Sequence, residues 1–202
     1  NLLEACRKSN NQRLILGSTT WVYSDSRETK IDEDTAFDFP SHFYSATKLA
    51  SEIYCKSYSA LYDVPTTILR YGIPYGPRAR DGAVIPIFVK KAFAGEPITI
   101  QGDGSQFRKF VYVKDLAKGN AAALKNKEKH RAFNLDGSEQ VSIKQIAETV
   151  KKIIGDVSIE YLPARPGDFG GKEISSARAK KELDWEASTS FEDGVRAYVN
   201  WF

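Results

Sequence analysis

Residues 13–17 read RLILG, a continuous apolar run of the kind found in strands that are buried on both faces of a parallel sheet. The preceding NLLEAC has the pattern of an amphipathic helix, and helical periodicity returns from about Ser41 to Tyr62. Residues 66–71 are rich in β-branched side chains and predict the next strand. This order of helix, strand, helix and strand predicts an α/β fold with a parallel sheet.

The long helix predicted over residues 41–62 has enough apolar residues for two buried faces. One stripe at helical spacing is made of Ala46, Leu49, Ala50, Ile53 and Ser57. A second apolar and aromatic set comprises Tyr54, Tyr58 and Leu61.

Beyond residue 71 the predicted elements are shorter. Residues 72–83 are rich in Gly, Pro and Arg and predict a loop. We expect Asp115 to cap a helix that ends at Leu124, and a capping box at Ser142 to open a helix that ends at Ile154. The remaining expectations are a helix over 84–94, strands over 98–100, 110–113, 133–135 and 159–161, and two short closing helices, the second from Ser190.

The composition is that of an ordinary globular protein, with 202 residues, 42% apolar and 27% charged. Disorder is excluded because the apolar content is high enough to offset the entropy of ordering. A net charge of +3 is too small to indicate a nucleic-acid partner, and no apolar run is long enough to span a membrane. Cys6 and Cys55 are expected to be reduced and buried, and no Cys/His cluster has metal-ligand spacing.

Two features bear on the length of the chain. It contains no Met, and it opens directly in a helical pattern. Chance composition together with removed N-terminal residues accounts for both features. The sharper explanation is that the chain is an interior or C-terminal piece of a larger polypeptide.

The sharpest local signal for chemistry is the pair Tyr44 and Lys48 in the long helix. A spacing of four residues puts the phenol and the ammonium on one helix face, one turn apart. A lysine ammonium stabilises a neighbouring phenolate, which can then act as a general base towards an alcohol. Alone the spacing is weak evidence, since many such pairs are only helix surface. The hydroxyls of Ser18 and Thr19 follow the first strand, where parallel sheets bind ligands, although such residues also make simple turns.

Seven motifs in order resemble the extended short-chain dehydrogenase/reductases, in particular the NAD-dependent nucleotide-sugar epimerase/dehydratase group and its UDP-glucose 4-epimerase-like members. The resemblance covers essentially the whole chain. The motifs are Ser18-Thr19-x-x-Val22-Tyr23, Tyr44-x-x-x-Lys48, Leu69-Arg70-Tyr71, Tyr75-Gly76-Pro77-Arg78, Gly102-Asp103-Gly104-Ser105-Gln106, Phe110-Val111-Tyr112-Val113-x-Asp115 and Pro163-x-Arg165-x-Gly167-Asp168.

The resemblance implies a role for each matching residue. Thr19, Tyr44 and Lys48 correspond to the family's catalytic hydroxyl, base and ribose-holding lysine, and Ser18 and Tyr71 join Tyr44 and Lys48 as cofactor-binding residues. The implied cofactor is NAD, with NADP left open. Thr19 is also implied to bind the substrate. Three further residues are implied to bind the sugar nucleotide, the arginines through its diphosphate: Arg108, Arg165 and Asp168.

Departures from the family pattern narrow these expectations. Thr20 and Trp21 stand where dehydratases carry acids, so dehydration is disfavoured, and Ile73 replaces an Asn that binds the sugar nucleotide, which leaves the substrate open. No Gly-rich phosphate-binding loop opens a strand–helix junction in this chain. The family pattern therefore implies that much of the cofactor-binding half is missing and that the isolated 202-residue chain is inactive.

The resulting prediction is an α/β protein with the C-terminal portion of a Rossmann-like doubly wound parallel sheet and a small mixed substrate-binding lobe. Residues 1–75 are assigned to the Rossmann-like part, and residues 76–202 mainly to the lobe, with some segments returning to the Rossmann-like core. The predicted function is epimerisation of a UDP-linked sugar through a transient keto-sugar, in a cytoplasmic homodimer formed through the Tyr44-bearing helix. The alternatives are a net NAD(P)-dependent oxidoreductase of a sugar or other small alcohol or ketone, and a non-catalytic binding fragment.

Overall fold

The computed structural model of the protein describes residues 1–9, 13–164 and 172–202. The elements, in chain order, are α1 (Leu2–Lys8), β1 (Leu14–Thr19), a 3₁₀ helix (Thr20–Tyr23), β2 (Lys30–Ile31), α2 (Phe43–Tyr62), β3 (Thr66–Tyr71), β4 (Ile73–Tyr75), α3 (Val84–Phe93), β5 (Ile98–Gln101), β6 (Phe107–Tyr112), α4 (Val113–Ala123), β7 (His130–Leu135), β8 (Gln140–Ser142), α5 (Ile143–Ile154), β9 (Ile159–Leu162), β10 (Glu173–Ile174), α6 (Ala177–Leu183) and α7 (Phe191–Trp201).

The chain folds into two compact units. The first comprises Asn1–Gly72, Lys114–Asp136 and Lys172–Ala187, and the described remainder forms the second. The first unit contains a parallel sheet with the strand order β1-β3-β7, so the prediction of an α/β fold with a parallel sheet is confirmed. At the carboxyl ends of β1 and β3, Ser18 is paired with Arg70 and Thr19 with Tyr71.

Helix α2 packs against β1 and β3 with a face that the apolar pattern did not indicate. Its buried residues are Ser45, Glu52, Cys55 and Ser59. Ile53, from the predicted stripe, is 57% exposed, so that stripe is not the buried face of α2. Small side chains allow the helix to approach the sheet closely, and the one buried carboxylate is satisfied by an ion pair described below.

The second unit is organised around a hydrophobic core. Strand β4 pairs in parallel with β6, β6 pairs antiparallel with β8, and β5 pairs in parallel with β9. The core rings of Tyr75 and Phe110 meet edge to face, with centroids 6.2 Å apart. Helices α3, α5 and α7 supply further buried apolar residues, among them Phe88, Val89, Ile146, Val150, Val195 and Tyr198.

Three local predictions about the later elements have different outcomes. The capping box is confirmed, because the Ser142 hydroxyl accepts the Gln145 N–H and the Gln145 side chain accepts the Ser142 N–H. The helix expected to start at Asp115 begins two residues earlier, so Asp115 lies in its first turn rather than at its cap. The loop predicted over residues 72–83 contains the short strand β4, whose hydrogen bonds depend on a distant partner.

Two structural findings concern membrane-spanning helices and the two cysteines. Among the described residues, no helix combines the length and apolar character needed to cross a bilayer. In the same part of the chain, Cys6 and Cys55 are buried free thiols. Burial raises the pKa of the Cys55 thiol to about 11, so it stays protonated and unreactive near neutral pH.

Candidate active site

The carboxyl end of β1 and the first turns of α2 bring together the residues with the strongest sequence signal. The Lys48 ammonium donates a hydrogen bond of 2.8 Å to the Gly17 carbonyl. Its nitrogen lies 6.0 Å from the centre of the Tyr44 ring, as the four-residue spacing in a helix requires. The Tyr44 side chain is 46% exposed. The arrangement therefore presents an accessible phenol next to a fixed positive charge.

The first turn of α2 is held by a side-chain cap. His42 is the N-cap residue, and its Nδ1 accepts a hydrogen bond of 3.2 Å from the Tyr44 backbone N–H. The His42 ring also contacts Trp21, with centroids 6.4 Å apart. An N-cap satisfies an amide that has no partner within the helix. Here the capped amide belongs to Tyr44 itself, which fixes the backbone that carries the phenol.

Thr19 is buried at the last position of β1. Its hydroxyl oxygen accepts a hydrogen bond of 3.2 Å from the Trp21 N–H and so caps the 3₁₀ helix. A hydroxyl also has one proton to donate. Thr19 can therefore keep its capping role and still donate a hydrogen bond to a bound molecule.

Ser18 connects to Glu52, which the sequence reasoning did not single out. Its hydroxyl donates to the Glu52 carboxylate, and Glu52 forms a buried ion pair with Arg70, with 2.7 Å between Nη2 and Oε2. The Arg70 guanidinium also lies over the rings of Tyr23 and Phe37, 5.1 and 4.8 Å from their centres. Glu52 lies four residues after Lys48, which itself lies four residues after Tyr44. This repeated spacing is the feature of the sequence from which Glu52 could have been identified.

The polar network continues from Arg70 through Tyr23. The Tyr23 hydroxyl accepts a hydrogen bond from Arg70 and donates one of 3.1 Å to the Asn134 side-chain oxygen. Burial raises the pKa of Tyr23 to about 12, so the hydroxyl keeps the proton that it donates. The Asn134 backbone N–H in turn donates to Glu33 at 2.7 Å. These contacts tie β7 and the loop before α2 to the same network.

Tyr71 lies against Gly17 on the neighbouring strand. A Cβ atom built on Gly17 would approach the Tyr71 ring to 3.1 Å, so glycine allows the ring to lie close to the backbone that holds Lys48. The Tyr71 hydroxyl donates a hydrogen bond of 2.6 Å to Asn120 of α4. Burial raises the pKa of Tyr71. Asn120 carried no signal in the sequence.

Of the four predicted substrate-binding residues, two are described: Thr19, at the end of β1, and Arg108. Arg108 lies in β6 of the second unit, where its guanidinium donates a hydrogen bond of 2.7 Å to the Phe107 carbonyl. Arg165 and Asp168 lie outside the described residues. Among the residues that the structure describes, no group of three or more His, Cys, Asp or Glu side chains is suited to a metal ion.

The parallel sheet with a Tyr–Lys pair beside a hydroxyl-bearing strand end defines a Rossmann-like α/β protein. The family model described as "NAD dependent epimerase/dehydratase family" matches residues 1–136. The chain belongs to this family.

Individual relatives agree with this assignment. The chain is 36% identical to a UDP-glucuronate 4-epimerase from Thermodesulfobacterium geofontis, and the alignment covers 100% of the chain and 62% of the relative. It is similar, with a TM-score of 0.91 and 29% identity, to the UDP-N-acetylglucosamine 4-epimerase from Methanobrevibacter ruminantium M1 in complex with UDP-N-acetylmuramic acid, over 99% of the chain and 66% of that structure. The UDP-glucuronic acid 4-epimerase from Bacillus cereus in complex with UDP-glucuronic acid and NAD gives a TM-score of 0.88 and 32% identity, over 99% of the chain and 64% of that structure.

Proposed function

We propose that the full-length protein is an NAD-dependent epimerase of a UDP-linked sugar, acting through transient oxidation to a keto-sugar. The observation that carries the proposal is the Lys48 ammonium, bound to the Gly17 carbonyl and adjacent to the accessible Tyr44 phenol. The named relatives support the same activity. The chain spans about 62% of the length of the first of them.

The residues of the chain have distinct parts in this reaction. Tyr44, assisted by the neighbouring Lys48 ammonium, acts as the general base that accepts the proton of the sugar hydroxyl that is oxidised. Thr19 donates a hydrogen bond to the same oxygen and holds it in place. The keto-sugar then rotates in the site and presents its opposite face. Tyr44 returns the proton to the oxygen, so the protein ends in its starting protonation state.

The residues at the end of β1 fit an NAD cofactor. An ammonium has three N–H donors, and Lys48 uses one on the Gly17 carbonyl. The others suit the ribose hydroxyls and the Tyr44 phenol oxygen. We propose that Ser18, Tyr44, Lys48 and Tyr71 contribute to holding NAD. When bound, NAD supplies the group that takes and returns a hydride.

We propose that Arg108, together with Arg165 and Asp168, binds the sugar nucleotide. A guanidinium presents planar paired donors that match phosphate oxygens. The structural relatives include complexes with UDP-linked sugars, which favours a UDP-linked substrate here. In this proposal the first unit binds the cofactor and the second contributes substrate-binding residues. A cytoplasmic location fits the two buried free thiols.

The reaction is tested with the full-length protein, NAD and UDP-glucose, UDP-glucuronate or UDP-N-acetylglucosamine in turn. We expect one of these to be converted into its epimer, measured by NMR of the sugar, with no accumulation of NADH absorbance. Stoichiometric NADH would instead indicate the net oxidoreductase. Absence of both conversion and NADH would favour a binding protein.

We also propose a homodimer formed through α2. Its outward face carries exposed apolar side chains along the whole helix: Phe43, Ile53, Tyr54, Leu61 and Tyr62. Phe43, Tyr54 and Leu61 are spaced by 11 and 7 residues, which places them on one line of an α-helix. A second copy of the same helix would bury this face.

Leu61→Glu is expected to convert the dimer to a monomer, because it places a charge in an apolar contact. The measurement is molar mass by light scattering. Leu124→Glu is a matched control, since Leu124 is 69% exposed and Leu61 71%, and Leu124 lies after α4. A dimer that survives Leu61→Glu would contradict this interface.

A further inference from the structure

Glu52 contacts two neighbouring strands of the sheet, β1 and β3, immediately before the proposed catalytic end. Its carboxylate accepts a hydrogen bond from the Ser18 hydroxyl of β1 and forms an ion pair with Arg70 of β3. Ser18 and Arg70 are register partners on these neighbouring strands. The next pair along the strands is Thr19 and Tyr71. One carboxylate therefore bridges the strands a single residue away from the Thr19 hydroxyl.

Glu52 and Lys48 form two successive attachments between α2 and β1. Lys48 bonds to the carbonyl of Gly17, and Glu52, one helical turn later, bonds to the side chain of the next residue, Ser18. A single attachment leaves a helix free to rotate or slide. Two attachments one turn apart fix both its rotation and its position along the strand.

The attachment through Glu52 is shielded from water. The side chains of Glu52 and Arg70 are 6% and 5% exposed. Arg70 approaches Glu52 through both Nε and Nη2, and Tyr23 and Phe37 cover the guanidinium. A two-point ion pair in such surroundings has a defined geometry, and water cannot replace either partner.

We infer that Glu52 is a positioning residue for the proposed reaction, which holds the Tyr44–Lys48 face of α2 in place relative to Thr19 through Ser18 and Arg70. This inference rests on the proposed function. Glu52 itself does not touch the substrate. Its loss acts on catalysis by moving the groups that do.

Glu52→Gln tests this role because it keeps the size and an acceptor oxygen but removes the charge that holds Arg70. In the full-length protein we expect kcat to fall by about 10–100-fold, since small displacements of reacting groups have effects of this size. We expect KM for the UDP-sugar to stay unchanged. Hydrogen–deuterium exchange of the amides of residues 43–49, measured without substrate or cofactor, is expected to increase.

Ser59→Ala is the matched control on the same helix. Ser59 is buried and donates 3.2 Å to the Lys129 carbonyl, so its loss also removes a buried hydrogen bond from α2, but at the other end. We expect kcat and exchange over residues 43–49 to match the parent protein. If Ser59→Ala lowers kcat as much as Glu52→Gln, general loosening of α2 is responsible and the inference is wrong.

Arg70→Lys is the second variant, for the case in which Glu52→Gln does not fold, because it keeps a positive charge beside Glu52 and removes the two-point contact that Arg70 makes through Nε and Nη2. A lower kcat with unchanged NAD affinity and increased exchange over residues 43–49 supports the inference, whereas weaker NAD binding alone contradicts it. An active parent with unaltered kcat and exchange in Glu52→Gln overturns only the positioning role. An inactive parent protein contradicts the proposed function. In that case, hydrogen–deuterium exchange over residues 43–49 that is the same in Glu52→Gln as in the parent overturns the positioning of α2.

Discussion

Tyr44→Phe is expected to lower kcat by about 10²–10⁴-fold, the range that a general base contributes. The variant keeps the ring and its contact with Lys48 and removes only the hydroxyl that accepts the proton. The sugar nucleotide should bind with nearly its original affinity, because the proposed diphosphate contacts are made by Arg108 and Arg165 and not by Tyr44. Turnover of the full-length protein and calorimetric titration with the UDP-sugar measure the two effects separately.

Tyr62→Phe is the control for this variant. Tyr62 lies at the last position of α2 and is 50% exposed, close to the exposure of Tyr44. It therefore loses a comparable hydroxyl from the same helix without a proposed part in the reaction. Retained turnover in Tyr44→Phe, with the control also active, would exclude Tyr44 as the base.

Arg70→Met is expected to lower the free energy of unfolding by about 3–5 kcal/mol, because it leaves the buried Glu52 carboxylate without its partner. The aliphatic side chain of Met keeps an apolar group at the position where the guanidinium lies over the rings of Tyr23 and Phe37, so the loss comes mainly from the uncompensated charge. Urea denaturation, with stability extrapolated to water, measures it. A loss below about 1 kcal/mol would match an exposed ion pair and contradict the buried one described here.

The double variant Glu52→Leu with Arg70→Met is expected to recover part of this stability. Replacing both charges with apolar side chains removes the cost of burying them, and such replacements are often neutral. The Ser18 hydroxyl then lacks its acceptor, which costs about 1–3 kcal/mol. The difference between the double variant and the sum of the single ones gives the coupling energy of the pair.

Much of the fold could be predicted because its signals are local. The apolar run at 13–17 and the β-branched run at 66–71 lie in β1 and β3, which pair in parallel. The capping box at Ser142 is complete within four residues. The Tyr44–Lys48 proximity follows from helix geometry alone. These features depend on neighbours in sequence, which the sequence displays directly.

The unpredicted features depend on distant partners. Glu52 reads as a solvated charge on a helix until Arg70 and Ser18, on two other elements, are placed beside it. The apolar side chains of α2 suggested a buried face, but the sheet accepts the small residues and leaves Ile53 outside. Strand β4 exists only because β6 supplies its hydrogen bonds. Periodicity identifies an amphipathic helix without identifying which of two faces meets the sheet.

The two attachments of α2 differ in how they respond to mutation. Lys48 is bound to a backbone carbonyl, and every amino acid at position 17 would supply that oxygen, provided that its side chain could be accommodated beside Tyr71. Glu52 depends on the side chains of Ser18 and Arg70, so a substitution at either position removes a contact. During evolution the contact of Lys48 is therefore kept when position 17 changes. The contacts of Glu52 with Ser18 and Arg70 are kept only if these residues change together.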